Sequence, residues 1–413
     1  MHNPILNVGA TAAHDTSIVK KEFLTYTPYT NSLGESEEIS IVIQNHDSCL
    51  LPSESYLYMQ FKVKTENYNA ATTDDKRIKF VYNFPTFLFS EAKYELNGVE
   101  IDRTKNLPIS STMKLLSAAS HSNTCGYQRF NEKFTDKIAE HSTEVVYDVM
   151  IPLSIIFGFC DDYRKVILNS RHELILNRAR DGLNCFSGGS SDANSAAVKI
   201  EVTRLEWKMP HVTLSHGMKM SMNHFLSKNK RLPIQYRSWE IFEYPELQQT
   251  TNTIWSVKTL SHLNKPRFVL FALQNNKMHN KTADASKFSS VHVNSVRLQL
   301  NSSVFPYSMH EVDIASGRLS ELYEAYANIQ SSYYNGMEYK NLFGNGFREF
   351  QKSPIFAFDV SRSEESLKNC AIDVRLEIKA SENIPAQTTA YCLIIYENEF
   401  KYSPLDGLVE RCV

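Results

Sequence analysis

The sequence predicts a mainly-β protein that is built from two successive domains of similar plan. Three observations support this prediction. Short segments of alternating polar and apolar residues, separated by turn residues, recur along the 413-residue chain. The composition favours strands, because Tyr and Phe pack well on a pleated, half-buried surface and number 21 and 23 against 3 Trp. The second half of the chain also repeats the order of elements found in the first half.

A strand that ends in an asparagine turn occurs in each half. Residues 91–102 (EAKYELNGVEID) alternate polar and apolar side chains and turn at Asn97. Residues 295–307 (SVRLQLNSSVFPY) do the same and turn at Asn301. The two asparagines are 204 positions apart.

A proline-led segment provides a second pair of landmarks. Residues 151–179 and 353–380 each open at a proline, cross a polar loop and end in an alternating apolar strand. The two prolines, Pro152 and Pro354, are 202 positions apart. Two near-equal offsets predict a duplicated domain of about two hundred residues, which is a usual domain size.

The first half contains strand patterns and one helix pattern. Residues 110–119 have serine caps and apolar residues at helical spacing, which predicts a helix. Alternation is clearest at Ile39, Ile41 and Ile43. The predicted strands are residues 23–29, 38–44, 56–64, 78–84, 87–96, 144–152, 165–168, 173–177 and 197–207.

The second half follows the same order. A helix is predicted over residues 317–330, where the apolar residues fall on one face, and it follows Asn301 much as the first helix follows Asn97. The predicted strands are residues 238–242, 253–259, 266–274, 291–300, 355–360, 371–379 and 389–396.

Each half thus has roughly eight short strands with one inserted helix, and eight antiparallel strands in two sheets form a jelly roll. We therefore predict two tandem eight-stranded jelly rolls, each with a short inserted helix. The predicted divisions are an N-terminal arm over residues 1–21, a first jelly roll over 22–209, a linker over 210–232, a second jelly roll over 233–400 and a C-terminal tail over 401–413.

Charge and cysteine usage limit the possible partners and compartment. The 44 basic and 46 acidic residues are spread along the chain, so direct nucleic-acid binding is not supported. The compact basic cluster at Lys228, Lys230 and Arg231 is typical of a solvated linker. The seven cysteines are widely spaced without a C-x-x-C pair, which favours a reducing compartment. No signal peptide or membrane-spanning run is visible, so we expect synthesis in the cytosol.

No catalytic, cofactor or metal site is predicted. The sequence has no H-x-H pair of the kind that a metal-binding β-sandwich enzyme uses, and no G-x-S-x-G, G-x-x-x-x-G-K or H-E-x-x-H motif. His211, His216 and His224 fit neither helical nor strand ligand spacing. Asp161 and Asp162 are more typical of the start of a loop than of a paired-carboxylate site. We therefore expect a protein that is not an enzyme.

At these residues the chain resembles the double jelly-roll major capsid proteins of tectiviruses, adenoviruses, Polinton-like elements, virophages and large DNA viruses of eukaryotes. The matching pieces cover most of residues 20–400, and their order and doubling are more specific than any short motif. They are the strands into the asparagine turns (94–102 and 297–307), the proline-led segment (152–159), the strand over 172–177 and the Trp-bearing strand over 254–258.

The resemblance implies a structural role in a virion. It implies a homotrimer whose six jelly rolls form a pseudo-hexameric capsomer that tiles an icosahedral shell. The implied partners are the chain itself, neighbouring capsomers, a penton and minor capsid proteins, with the N-terminal arm making contacts between capsomers. The arm carries few charges, chiefly Lys20 and Lys21, which leaves a membrane under the shell undecided.

Two alternatives stay open at this point. A tandem β-sandwich binding protein of lectin type would use exposed aromatic residues on loops, and Tyr333, Tyr334 and Tyr339 are the best candidates for such a patch. The same tyrosines suit a contact within a trimer, because Tyr is enriched at interfaces. A capsid-like protein domesticated by a host genome is the other alternative.

Overall fold

The computed structural model describes residues 17–30, 33–45, 49–66, 78–117, 127, 145–188, 197–228, 230–257, 266–280, 282–306, 312–314, 316–333, 346–362 and 372–412. All structural statements below concern these residues. Helices are few and short among them. They are α1 (Leu107–Ser117), α2 (Leu153–Ile156), α3 (Gly158–Asp162), α4 (His216–Leu226), α5 (Ser320–Tyr333) and α6 (Gly346–Lys352), with 3-10 turns at Pro52–Glu54, Phe84–Leu88 and Leu183–Cys185.

The first half folds into two main antiparallel sheets that enclose one core. Its strands are β1 (Ile18–Tyr26), β2 (Glu38–Asn45), β3 (Cys49–Leu50), β4 (Tyr56–Glu66), β5 (Lys79–Phe80), β6 (Phe89–Leu96), β7 (Val99–Lys105), β8 (Val145–Pro152), β9 (Ser170–Arg178), β10 (Phe186–Ser187) and β11 (Ala197–Leu214). One sheet, called the β1 sheet below, has the strand order β1-β11-β4-β8. The other has the order β2-β9-β6-β7.

The second half repeats this arrangement. Its strands are β12 (Leu232–Tyr244), β13 (Asn252–Val257), β14 (Pro266–Asn275), β15 (Val293–Leu300), β16 (Ser303–Phe305), β17 (Phe356–Asp359), β18 (Val374–Ala380), β19 (Thr388–Tyr402) and β20 (Val409–Cys412). One sheet, called the β12 sheet, has the order β12-β19-β14-β17, and the other has the order β13-β18-β15-β16.

The order of strands is therefore the same in both halves when the strands of each half are taken in sequence. Each half has eight principal strands when β3, β5, β10 and β20 are left out. In each half the first principal strand pairs with the last, the last with the third, and the third with the sixth. Eight principal strands in two four-stranded sheets make each half a jelly roll. The prediction of two tandem jelly rolls is confirmed.

Alternation of side chains builds the sheets, as β4 shows. Leu57, Met59 and Phe61 point inward and are buried, whereas Tyr56 and Tyr58 point outward and are partly exposed. Successive strand residues face opposite sides of a sheet, so this pattern buries one face and leaves the other open.

The asparagine turns correspond closely in the two jelly rolls. Asn97, between β6 and β7, and Asn301, between β15 and β16, both have positive φ, at 52° and 50°. The Asn97 N–H donates to the Arg171 carbonyl over 2.8 Å, and the Arg171 N–H donates to the Asn97 side-chain oxygen over 2.7 Å. Asn301 makes the same pair of bonds with Asp373, at 3.0 and 2.8 Å. This landmark of the sequence repeat is a real structural equivalence.

The proline pair is not equivalent in the structure. Pro152 is the last residue of β8, whereas Pro354 lies before β17 begins at Phe356. The matched polar loop comes after the sixth principal strand in both halves, β8 in the first and β17 in the second, but the proline ends that strand in the first half and precedes it in the second. The near-equal spacing of the two prolines therefore does not reflect equivalent positions in the two jelly rolls.

Several predicted boundaries need correction. The helix predicted over 110–119 begins earlier, at Leu107, and the one predicted over 317–330 is Ser320–Tyr333. Residues 78–84 supply only the short β5 and the start of a 3-10 turn, because Pro85 lies at the first turn of that helix. Residues 165–168 form no strand, and Ile167 makes an isolated bridge to Leu50.

The predicted arm, linker and tail also differ from the observed elements. Strand β1 already begins at Ile18, inside the predicted arm. The linker over 210–232 holds the end of β11 and the helix α4, whose cap Ser215 accepts a hydrogen bond from the Met218 N–H. The tail over 401–413 contains β20, which pairs back on β19. These differences arise because the local sequence pattern does not show which distant strand a segment pairs with.

Candidate functional site: the junction between the two jelly rolls

The two jelly rolls meet where α3 of the first packs on β12 of the second. A Cβ atom added to Gly158 would lie 1.7 Å from the Arg237 carbonyl oxygen and 2.9 Å from Cδ1 of Trp239. Neither distance allows a side chain, so only glycine lets the two backbones approach this closely.

An ion pair lies beside this close approach. Asp162 Oδ2 accepts hydrogen bonds from the backbone N–H and from Nε of Arg237, each over 2.8 Å, and Oδ1 accepts from Nη2 over 2.6 Å. The Arg237 guanidinium also stacks 3.4 Å from the centre of the Tyr333 ring. Burial by itself would lower the pKa of Arg237, but Tyr333 and the Asp162 carboxylate raise it above its usual value. One arginine thus joins α3 of the first jelly roll to α5 of the second.

A buried lysine crosses the same junction. Lys114, on α1, donates from Nζ to the Ser154 carbonyl over 2.5 Å and lies 3.2 Å from the Asp161 carboxylate. Its ammonium also lies 4.1 Å from the centre of the Trp239 ring, on β12. A buried cation needs such partners, because its desolvation is costly.

A buried carboxyl group lies close to these contacts. Asp102, on β7, accepts hydrogen bonds from the Phe159 N–H over 2.9 Å and from the Arg103 N–H over 3.0 Å. Burial raises the pKa of the Asp102 carboxyl to about 6, although these N–H groups and Lys114 oppose the rise. One residue earlier, the Ile101 carbonyl accepts a hydrogen bond from the Tyr236 hydroxyl of the second jelly roll.

Each hydrophobic core is completed by the other half of the chain. The core of the first jelly roll includes residues that belong to β12, β19 and β20, namely Ile234, Tyr236, Phe400, Tyr402 and Val409. The core of the second includes Ile109 and Met113 of α1. Separating the halves would expose these side chains to water, so the junction holds the two jelly rolls in one fixed arrangement.

A family model described as a double jelly roll-like domain matches residues 78–399 of the chain. The chain belongs to this double jelly roll-like family. The matched region includes the junction and most of both jelly rolls.

Several solved structures have a fold similar to that of this double jelly roll protein. A cryo-EM structure of the Sputnik virophage matches with a TM-score of 0.66 and 8% identity, over 100% of this chain and 92% of that chain. The mavirus major capsid protein matches with a TM-score of 0.60 and 13% identity, over 98% and 92%. The Faustovirus major capsid protein matches with a TM-score of 0.60 and 8% identity, over 94% and 92%. No curated protein sequence matches the chain.

The residues predicted from the sequence to make contacts between chains lie in different parts of the structure. Lys20 and Lys21 are in β1 of this double jelly roll protein, where Lys20 pairs with Glu22 over 2.6 Å and Lys21 pairs with Glu54. They therefore belong to a paired strand and not to a free arm.

Tyr333 requires a correction. It is 1% exposed and packs between Trp239 and Phe268, so its ring has no surface to offer another protein. It faces inward because it lies on the buried face of α5, whose helical period continues one turn beyond the predicted end. Tyr334 and Tyr339 lie outside the described residues.

The histidines singled out in the sequence are not brought together. His211 lies on β11 and is buried, with Nε2 2.9 Å from the Tyr26 hydroxyl, whereas His216 and His224 are exposed on α4. In the part of the chain that the structure describes, no group of three or more His, Cys, Asp or Glu could hold a metal ion. Among the same residues, no helix is long and apolar enough to cross a bilayer.

Sequence reasoning missed the residues that form the junction. Gly158, Lys114 and Arg237 were not singled out, because each contacts a partner that is distant in the chain. A weak signal was available: Lys114 stands among apolar residues of a predicted helix, where a buried lysine requires a specific partner.

Proposed function

We propose that this chain is the major capsid protein of an icosahedral DNA virus and that it assembles as a homotrimer. Six jelly rolls, two from each copy, form a pseudo-hexameric capsomer. The observation that supports this most strongly is the doubling: two jelly rolls with one strand order are held in a fixed arrangement by a buried junction. The mavirus and Faustovirus proteins of similar fold are major capsid proteins.

Duplication suits a shell for a geometric reason. Closed cyclic symmetry lets identical contacts repeat without leaving an unsatisfied surface. A trimer of two-lobed chains has six similar lobes around its axis, so its outline is close to hexagonal and tiles a surface. A rigid junction is needed because movement between the two lobes of a chain would make the outline of the capsomer variable.

In this role the chain is a structural protein that performs no enzymatic reaction. Its partners are further copies of itself, the neighbouring capsomers, and penton and minor capsid proteins. It resides in the virion after synthesis in the host cytosol. The segment before Ile18 is assigned to contacts between capsomers.

Purified full-length chain tests the proposal directly. Light scattering should give three times the 47.3 kDa of the chain, and negative-stain microscopy should show particles of hexagonal outline. A stable monomer that forms no such particles at any protein concentration would contradict the proposal.

A further inference from the structure

The helix α4, which connects the two jelly rolls, has no covering surface among the described residues. None of its 11 residues is buried, and it packs closely on no other described helix or strand. Helices shorter than about 12 residues are marginal in water by themselves, because packing of an apolar face provides most of their stability in proteins. The chain therefore presents a short helix that its own described elements do not stabilise by packing.

One face of α4 is apolar. Met218, Met222, Phe225 and Leu226 follow one another at positions i, i+4, i+7 and i+8, which places them on the same side of a helix. Met218 and Phe225 are 40% and 42% exposed. Such an apolar stripe is normally covered, so its exposure marks an interaction surface.

Two further segments lie at the same end of the jelly rolls as α4. Ile18, the first residue of β1, pairs with Leu214, at which β11 ends before α4. Tyr402 pairs with Leu232, at which β12 begins after α4, and the turn over residues 403–408 follows Tyr402 directly. We call the start of β1, α4 and this turn together the α4 end.

Exposed apolar side chains are concentrated at the α4 end. It carries half of the large apolar side chains that are exposed in the described part of the chain. They are between 40% and 69% exposed and comprise Ile18, Val19, Met218, Met220, Phe225, Leu405 and Leu408. Three separate segments thus place their apolar side chains on one region of the surface.

The segment that contains α4 is also basic. Residues 215–232 include no acidic residue and four exposed basic ones, namely Lys219, Lys228, Lys230 and Arg231. Arg231 pairs with Glu410, whereas the three lysines form no ion pair with another described residue. The charge of this segment is therefore complementary to an anionic surface.

We propose that the α4 end binds the surface of an anionic lipid bilayer. A helix with an apolar stripe and neighbouring lysines lies in the interface, with its apolar side chains among the acyl chains and its cations at the headgroups. The 11 residues of α4 rise about 16 Å, which is about half of the ~30 Å hydrocarbon core, so the helix lies on the bilayer and does not cross it. This inference goes beyond the proposed function.

The apolar side chains favour lipid over the other anionic partners. The phosphates of a nucleic acid would pair with the lysines but would leave Met218, Met220 and Phe225 in water. An acidic protein would need a fixed surface that matches side chains from three segments. A fluid acyl layer adapts to them, and the unbranched, flexible Met side chains adapt to it in turn.

The proposed trimer would strengthen this binding. Rotation about a cyclic axis keeps corresponding points at one height, so the three α4 ends of a trimer lie at the same level along its axis. After one end has bound, the other two meet the same bilayer at a high effective concentration. This step alone rests on the proposed capsomer, because one α4 end has the chemistry to bind lipid without it.

Vesicle flotation of the full chain tests the proposal. The unmodified chain should float with phosphatidylcholine vesicles that contain phosphatidylserine, and much less with phosphatidylcholine alone. Met218→Ser/Phe225→Ser should lower the partition coefficient at least about tenfold, because two apolar side chains no longer enter the acyl layer. Ile254→Ser is the matched control and should not change it, since Ile254 is 66% exposed but lies on β13, outside the α4 end.

A second pair of variants tests the contribution of charge. Lys228→Gln/Lys230→Gln should weaken binding to the phosphatidylserine vesicles and make it less sensitive to salt. Lys64→Gln/Lys199→Gln should do neither, because these exposed lysines pair across β4 and β11, about 50 Å along β11 from Leu214. Thermal unfolding should show that all variants are folded.

The orientation of α4 can be measured on the bilayer itself. Phe225→Trp places an indole on the apolar stripe, whereas the native Trp207 and Trp239 are buried. Lipids with brominated acyl chains should quench the emission of Phe225→Trp and should leave that of Ile254→Trp unchanged. Absence of quenching in Phe225→Trp that floats with the vesicles would overturn the proposal.

Vesicle binding and trimer formation are measured separately, so the two proposals can fail independently. If the chain forms trimers but does not bind phosphatidylserine vesicles, or binds them equally well as Met218→Ser/Phe225→Ser, the inference is overturned and the capsomer stands. If the chain is monomeric and binds the vesicles through Met218 and Phe225, the capsomer fails and the inference stands. Binding of duplex DNA in place of vesicles would assign the lysines to nucleic acid, which also overturns the inference.

Discussion

Asn97 and Asn301 occupy the same place in the two jelly rolls, and each accepts one hydrogen bond from, and donates one to, a residue that lies within one position of the start of the neighbouring strand. Asn97 bonds with Arg171 and Asn301 bonds with Asp373. Both asparagines have positive φ, which Asn tolerates better than other residues with side chains. The same local solution thus recurs where the sequences around it have diverged.

Replacing either asparagine by alanine should destabilise its jelly roll by about 1–2 kcal/mol, because the side-chain bond is lost and the left-handed turn becomes strained. Chemical denaturation of Asn97→Ala and Asn301→Ala checks this. The two effects should add in the double variant, since the sites share no partner.

Glycine variants separate the two contributions. Asn97→Gly and Asn301→Gly keep the freedom to adopt positive φ and lose the side-chain hydrogen bonds, which at Asn97 include a bond from Nδ2 to the Gly407 carbonyl. Each should therefore cost less than the alanine variant, which loses the same bonds and also strains the turn. Equal losses for alanine and glycine would show that the turn is not strained by alanine.

Gly158→Ala should weaken the junction. The added methyl group would meet the Arg237 carbonyl at 1.7 Å, and relief of that clash requires α3 and β12 to move apart. We expect a loss of about 3 kcal/mol in the free energy of unfolding. Gly182→Ala is the matched control, because nothing lies within 4 Å of its added Cβ. A variant at Gly158 as stable as the control would contradict the close approach.

Arg237→Gln should destabilise the chain by about 3 kcal/mol, because it leaves the Asp162 carboxylate largely buried without its cation. A double-mutant cycle with Asp162→Asn should show strong coupling between the two sites. The exposed pair Arg231–Glu410 is the control, and Arg231→Gln should change stability by no more than about 0.5 kcal/mol. Additive effects at Arg237 and Asp162 would count against the ion pair.

Titration of the Asp102 carboxyl should lower the free energy of unfolding as pH rises. Its pKa is about 6 in the folded chain against an ordinary 3.8, so its stabilising contribution is complete below 3.8 and is lost as pH rises through 6. Relative to the unmodified chain, Asp102→Asn should gain about 2 kcal/mol between pH 4 and pH 6. Urea unfolding across this range measures the change, and Asp148→Asn, at an exposed position, should show none.

His172 should act in the opposite direction. The ring is fully buried between the Tyr94 and Ser170 hydroxyls, at 2.6 Å from Nδ1 and 2.7 Å from Nε2, and burial lowers the pKa of His172 to about 3. Its contribution is therefore complete above the ordinary value of 6.5 and is lost as pH falls towards 3. Between pH 6.5 and pH 4 the loss is about 3 kcal/mol.

His172→Gln should flatten this acid branch of the stability profile, whereas His224→Gln, on the exposed face of α4, should not alter it. Because Asp102 and His172 act with opposite sign over overlapping ranges, the unmodified profile alone does not separate them. An acid branch that is unchanged in His172→Gln would refute its assignment to this ring.

Local pattern was enough to predict most strands and the doubled fold. The alternation in β2 and β4 depends on one buried face, and a period of two residues is visible in sequence wherever such a face exists. Asn97 and Asn301 were recognisable because a turn constrains residue type locally. The two prolines suggested a wrong correspondence. Pro152 and Pro354 share a residue type, but the position of each relative to its strand is set by strand pairing, which the local sequence does not show.

The sequence by itself determined the jelly-roll plan, its repetition and the two asparagine turns, since each of these is encoded by neighbouring residues. Only the tertiary structure decided how the two halves meet. Gly158, Lys114 and Arg237 act on partners far away in the chain, and the burial of Tyr333 depends on β12 and β14 lying beneath α5. Contacts between distant segments leave no periodic pattern in the residues that make them, so the junction became visible only in three dimensions.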